Sequence, residues 1–156
     1  MLSLRPTTMD DLVDLAAWEA EPETAPWLGE TGPAWHARAL HDPGQEHLVA
    51  VRAEAAVGFA VLAGLRDGDA VELRRMVISP PHRRTGLGRS LLTSVLARAY
   101  GHHRARRVWL DVKAHNHRAR ALYESEGFTV TETLTGAVTE ADGALTDLVI
   151  MAHQVR

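Results

Sequence analysis

The sequence predicts a mixed α/β sheet of about seven mostly antiparallel strands with about four helices against it, and three observations support this. First, Ala70 to Ser90, AVELRRMVISPPHRRTGLGRS, reads as a strand, a proline stop, a basic glycine loop and the start of a helix. Second, three strand patterns joined by tight turns run from His47 to Ile78 and make an antiparallel meander. Third, the strand pattern Val108 to Val112 is separated from the central strand by a helix, which permits a parallel right-handed crossover.

Taken in order, Leu2 to Arg5 is a short strand stopped by Pro6. Thr8 and Asp11 form a near capping box, and Leu12, Leu15 and Ala16 set a helix running to about Ala20. Pro22, Pro26, Gly29 and Gly32 keep the next stretch irregular. Pro33 suits the first turn of a second helix through Leu40, and Asp42-Pro43-Gly44 turns the chain back. His47 to Arg52 and Val57 to Leu65 are strands around a turn at Ala53 to Ala56, and Arg66 to Asp69 leads into the central strand Ala70 to Ile78. That strand must end at Pro80 and Pro81, which have no N–H to pair. A third helix runs from about Gly86 to Ala99 and ends near Gly101, and a fourth opens at Asn116 and ends at Gly127. Thr129 to Leu134 and Leu145 to Ala152 close the sheet, joined by a turn-rich segment from Thr135 to Gly143.

The 156 residues suit one domain over 1–156, with no repeat or low-complexity tract, and the 46% apolar share is ordinary for a globular chain. The absence of cysteine excludes disulfides, thiolate zinc sites and a cysteine nucleophile. No basic-then-apolar leader and no long apolar run is present, so a cytoplasmic protein without a membrane span is expected. The net charge of −3 hides an asymmetry. Up to Glu46 acids dominate, whereas from Arg74 to Arg120 the cations face Asp111 alone. The arginines gather around the glycine loop, and no nucleic-acid-binding pattern accompanies them, so a polyanionic small ligand is expected and nucleic acid is not.

Arg83, Arg84, Thr85, Gly86, Leu87, Gly88 and Arg89 place guanidinium groups and two flexible backbone positions just before the periodic run Leu91, Leu92, Val95 and Leu96. Unpaired N–H groups at a helix start, with the positive end of the helix dipole, form a phosphate or pyrophosphate site. The spacing has neither the lysine of a Walker loop nor the third glycine of a dinucleotide loop.

The spacing Arg83-x-x-Gly86-x-Gly88 resembles the acyl-coenzyme A pyrophosphate loop of the GNAT N-acetyltransferase superfamily. The run Val108 to Phe128, VWLDVKAHNHRARALYESEGF, resembles the second half of the same fold, and within it the ribosomal-protein N-terminal acetyltransferase branch. The resemblance spans essentially the whole chain. It implies a GNAT fold with a splayed parallel central pair, acetyl-CoA as donor, and an acetyl group passed to a primary amine, expected to be that of a small molecule. A protein N-terminal amine and a non-catalytic acyl-CoA sensor are the alternatives, and the oligomeric state, with a homodimer considered, is left open.

By the same resemblance, Met76, Val77 and Ile78 would bond the pantetheine arm, with an N–H near Met76 or Val77 stabilising the developing oxyanion. Arg83 to Arg89 would hold the pyrophosphate, although Arg84 stands where relatives often carry glycine. Asn116 would contact the cofactor arm as well as cap its helix, and Tyr123 would serve as the acid. Glu72 is the first candidate for the base and Asp111 the second, either of which could instead pair with an arginine. The acceptor is expected between the irregular N-terminal segment and the Thr135 to Gly143 turn. There Trp27, Glu30 and Trp35, with Trp18, Glu19, Glu21 and Glu23, offer aromatic faces and carboxylates to a cationic amine. His102, His103, His115 and His117 read as mostly solvated, and no metal is expected.

Overall fold

The computed structural model describes residues 1–155. Its strands are β1 (Leu2–Pro6), β2 (Glu46–Arg52), β3 (Ala55–Ala63), β4 (Ala70–Ile78), β5 (Arg107–Lys113), β6 (Thr129–Thr139) and β7 (Leu145–Gln154). Its α-helices are α1 (Leu12–Glu19), α2 (Pro33–His41), α3 (Leu87–Ala97) and α4 (His117–Ser125). The strands form one sheet in the order β1-β2-β3-β4-β5-β7-β6. Among the described residues only β4 and β5 run parallel, as the intervening helix requires.

The two faces of the sheet feed different cores. Ala60 and Leu62 of β3, Val71 and Leu73 of β4, and Val108 and Leu110 of β5 pack with Leu87, Leu91, Leu92 and Val95 of α3. Val49 of β2, Phe59 and Val61 of β3 and Val77 of β4 pack on the other side with Leu12 and Leu15 of α1 and Ala39 of α2. From Val57 to Ala63, β3 is buried throughout, which explains its nearly unbroken apolar sequence.

One irregularity positions the site. Leu62 pairs with Leu73 and Val61 with Arg75, so Arg74 is an extra residue bulged out of β4. Without the bulge, residues 71, 73, 75 and 77 would share a face. With it, Val71 and Leu73 face α3 while Val77 faces α1 and α2.

Several boundaries differ from the sequence expectation, three of them in kind or by a clear margin. The third helix does not stop at a Gly101 cap but widens into a π turn over Arg98–His102, and Arg104 takes the left-handed φ of +56°. β6 runs to Thr139, so most of the expected turn segment is strand, interrupted by register shifts between Leu134 and Val138. β3 starts and ends about two residues earlier than expected.

Candidate active site

β4 and β5 pair over three positions only, Ala70 with Arg107, Val71 with Val108 and Glu72 with Trp109. Beyond Glu72, β4 pairs with β3 alone, and β5 continues against β7. The groups that β4 turns toward β5 from Leu73 to Ile78 are therefore left without a strand partner, and the sheet opens into a cleft. Gly58 of β3 allows a close approach behind it, since a β-carbon there would lie 2.7 Å from the Val77 carbonyl oxygen.

Below the open edge, Pro80–His82 makes a short turn and Gly86, at φ +82°, caps α3. Ser90 N–H makes the first bond back, to Gly86 O at 3.2 Å. The N–H groups of Arg84 to Arg89 have no partner among the described residues, which leaves them for an anion. Arg84 sits at φ +62°, so the position where relatives often carry glycine has the left-handed backbone that favours glycine, here despite a β-carbon. The Leu87 side chain is core, so that residue can offer only backbone to a ligand. Arg89 donates to Ser125 Oγ at 2.8 Å and lies 3.4 Å from Glu126, while Thr85 Oγ1 donates to His82 O.

Two cavities, of about 630 and 700 Å³, meet at this opening, and Met76, Ile78, Asn116 and Tyr123 line both. The larger lies against Arg83, Arg84 and Gly88 of the loop and His115, His117 and Leu122 near α4. The smaller is walled by Trp27 and Leu28, by Asp111 and Lys113 of β5, and by Val138, Thr139 and Glu140 of β6 and the turn after it. Asn116 Oδ1 accepts from Ala119 N–H at 3.2 Å and so caps α4, which fixes the turn that presents Tyr123. Loss of water pushes the Tyr123 phenol up to about 12, with the Asp111 charge adding to it. Partial desolvation and then the charge of Glu72 raise the Asp111 carboxyl above its usual range, while Arg74 opposes them.

Not every candidate reaches the cleft. Glu72 lines neither cavity and accepts from Arg74 at 2.7 and 3.2 Å. Glu30 is exposed and paired with Arg38. Trp35 lies against the Arg75 guanidinium, 3.8 Å from ring centroid to Cζ, and Trp18, on α1, is half-buried against the core beneath that helix. Among those tryptophans, only Trp27 lines both cavities, and its ring meets His115 at 4.9 Å.

Glu19 is no acceptor-site acid. It is fully buried, taking Arg75 Nη1–H on one oxygen and the His36 ring on the other, both at 2.7 Å. His36 Nδ1 meets His47 Nε2 at 2.8 Å, and His47 Nδ1 meets Thr7 Oγ1 at 2.8 Å. With Glu19 ionised and His47 neutral every contact in the chain has a donor and an acceptor, His36 Nε2–H donating to Glu19. The signal was present, because Leu12, Leu15 and Glu19 share one helical face. His103, expected in solvent, is engaged as well: its Nε2 lies 2.8 Å from Glu46, which also accepts from Arg98 Nε at 3.0 Å.

An open edge on a parallel strand pair, beside a helix entry with unpartnered amides, suits a long phosphorylated ligand such as an acyl donor. The chain belongs to the acetyltransferase (GNAT) family, whose model matches residues 12–128. No curated protein matches the sequence. Solved structures share the fold. A chimera of the Vibrio cholerae spermidine N-acetyltransferase SpeG and hSSAT aligns at TM-score 0.85 and 21% identity, over 98% of this chain and 95% of that one. The ribosomal-protein-S18-alanine N-acetyltransferase of Escherichia coli aligns at TM-score 0.78 and 24% identity, over 99% and 94%. The family implies acetyl-CoA as the donor. Among the described residues no helix is long and apolar enough to cross a membrane.

Proposed function

We propose that this chain transfers the acetyl group of acetyl-CoA to the primary amine of a small molecule, with Asp111 as base and Tyr123 as acid. The observation that carries this reading is the charge state of the smaller cavity. Arg74, Arg75, Arg83 and Lys113 are matched by Glu72, Glu19, Glu23 and Glu140, which leaves Asp111, among the described residues there, without an ion-pair partner. An amine seated beside it meets a carboxylate with nothing else to neutralise. Glu72, already held by Arg74 outside the cavity, is the weaker candidate.

The donor supplies a thioester carbonyl. The N–H and C=O groups that β4 turns away from β3 between Met76 and Ile78 suit the pantetheine amides, and the amides and arginines of the Arg83 to Arg89 loop suit the pyrophosphate. Asp111 accepts the ammonium proton, directly or through water, so that the amine lone pair can form the new C–N bond. A raised pKa makes it the better base. A β4 N–H near Met76 or Val77 donates to the carbonyl oxygen as negative charge develops there. As the C–S bond breaks, Tyr123, held protonated by its elevated pKa, gives its proton to the sulfur, and the proton still on the new amide nitrogen passes through water to the phenolate, which restores Tyr123.

The test is release of free CoA across amino acids, amino sugars, polyamines, alkyl- and arylamines and short N-terminal peptides. Turnover with one of the small amines is expected, and turnover confined to peptides would move the reading to a protein acceptor. Asp111→Asn and Tyr123→Phe should each lower kcat by about 10²- to 10⁴-fold while keeping acetyl-CoA affinity. Because the Asp111 pKa is raised, activity should fall on acidification from above the ordinary carboxylate range. A larger loss from Glu72→Gln than from Asp111→Asn would transfer the base role to Glu72.

A further inference from the structure

Resting on that reading of the smaller cavity, we infer that the acceptor is an amphipathic monoamine, one primary amino group on an apolar or aromatic body with no second cation. Two features of that cavity lead there. The first is that the cavity has one carboxylate to spare. A diamine needs a second anionic anchor a few ångströms from the first, and Glu140, the carboxylate in the facing wall, is already taken by Lys113 at 2.6 Å.

The second is Lys113 itself. Its side chain is only 8% exposed, and its ammonium donates to Pro26 O at 2.7 Å and to Glu140. It thereby ties the connection between α1 and α2 to the turn after β6, across the cavity. Lys113 lies two residues beyond Asp111 on the same strand, which puts both side chains on one face about 7 Å apart at the backbone. The distal ammonium of a bound diamine would have to compete with this fixed cation for Glu140. An apolar tail meets Trp27, Leu28, Val138 and Leu148 instead.

The experiment compares kcat/KM for hexylamine, 2-phenylethylamine, 1,6-diaminohexane and spermidine on the wild-type protein, followed by Lys113→Met. Hexylamine should exceed 1,6-diaminohexane, its counterpart with a terminal ammonium, by at least about tenfold, chiefly through KM. Lys113→Met removes the cation and frees Glu140, so the ratio should shrink through a gain by the diamine. Equal or better use of 1,6-diaminohexane or spermidine by the wild type overturns the inference without needing the variant to fold. An unchanged ratio in a folded Lys113→Met protein overturns the role of Lys113. Silence with every amine while acetyl-CoA still binds in a titration overturns the parent reading, and this inference with it, whereas diamine preference leaves the parent reading standing.

Discussion

His47 shows how far a single side chain can be moved by its surroundings. Burial strips water from its charged form, and the neighbouring His36 adds to the effect, so the imidazole stays neutral down to about 4. The Glu19 and Asp11 charges oppose this, and Arg75 reinforces it. The unfolded chain takes up that proton near the ordinary value of 6.5, so it binds more protons than the folded one between the two values. Stability is therefore full above 6.5 and falls as pH drops toward 4, by about 3 kcal/mol for this group. Urea unfolding from pH 7.5 to 4.5 should show that decline, and His47→Gln should flatten it. An equal slope in the variant would assign the dependence to other groups. Glu19 adds its own loss at lower pH. Burial pushes its carboxyl up, but the His36 and Arg75 contacts outweigh that and hold it below the usual range, so its contribution disappears only as the carboxylate is protonated.

At the scale of the element, β4 does two jobs that conflict in a regular strand. Its first half must bury Val71 and Leu73 under α3, and its second half must keep an edge open and send Arg75 to Glu19. The bulge at Arg74 reconciles them by switching the faces midway. β3 supports the second half at Gly58, where space for a β-carbon is absent. Gly58→Ala should cost about 1–3 kcal/mol and raise the KM for acetyl-CoA, because the alanine methyl can be housed only by moving the Val77 carbonyl or β3 itself. Gly101→Ala, where a β-carbon would meet nothing within 4 Å and φ is not left-handed, should stay within about 0.5 kcal/mol of wild type. Comparable effects from the two substitutions would remove the close approach as an explanation.

For the whole molecule, the uneven charge of the sequence turns out to be an assembly pattern. Acids of the first third pair with arginines of the middle: Glu19 with Arg75, Glu23 with Arg83 and Glu46 with Arg98. Part of the basic density that suggests an anionic ligand thus holds the α1 and α2 layer and β2 to the rest of the chain. Arg83 belongs to both systems, since it faces the loop cavity and also reaches Thr24 Oγ1 and the Ile78 carbonyl. Acetyl-CoA at about a hundredfold over its Kd should raise stability by about 2.7 kcal/mol. Hydrogen exchange should slow on β4 between Met76 and Ile78, beyond its pairing with β5, and at Arg84 to Arg89. Stabilisation without protection of either run would place the donor elsewhere.

The order of elements, the proline stop of β4, the glycine-marked entry to α3, the Asn116 cap and the two signatures that carry the family are legible in the chain before it folds. These depend on residues close in the chain, where backbone chemistry leaves few options. Which charges face the cleft is settled by folding. Glu72, Asp111, Glu19 and Glu30 are alike as carboxylates in a sequence, yet one is clamped by Arg74, one faces the cavity, one is buried against Arg75 and one pairs with Arg38 outside. The Arg74 bulge lies equally beyond local reading, because it exists only in the register between β4 and β3. A carboxylate's role follows from the water it loses and the cation it meets, and both are fixed by residues distant in the chain.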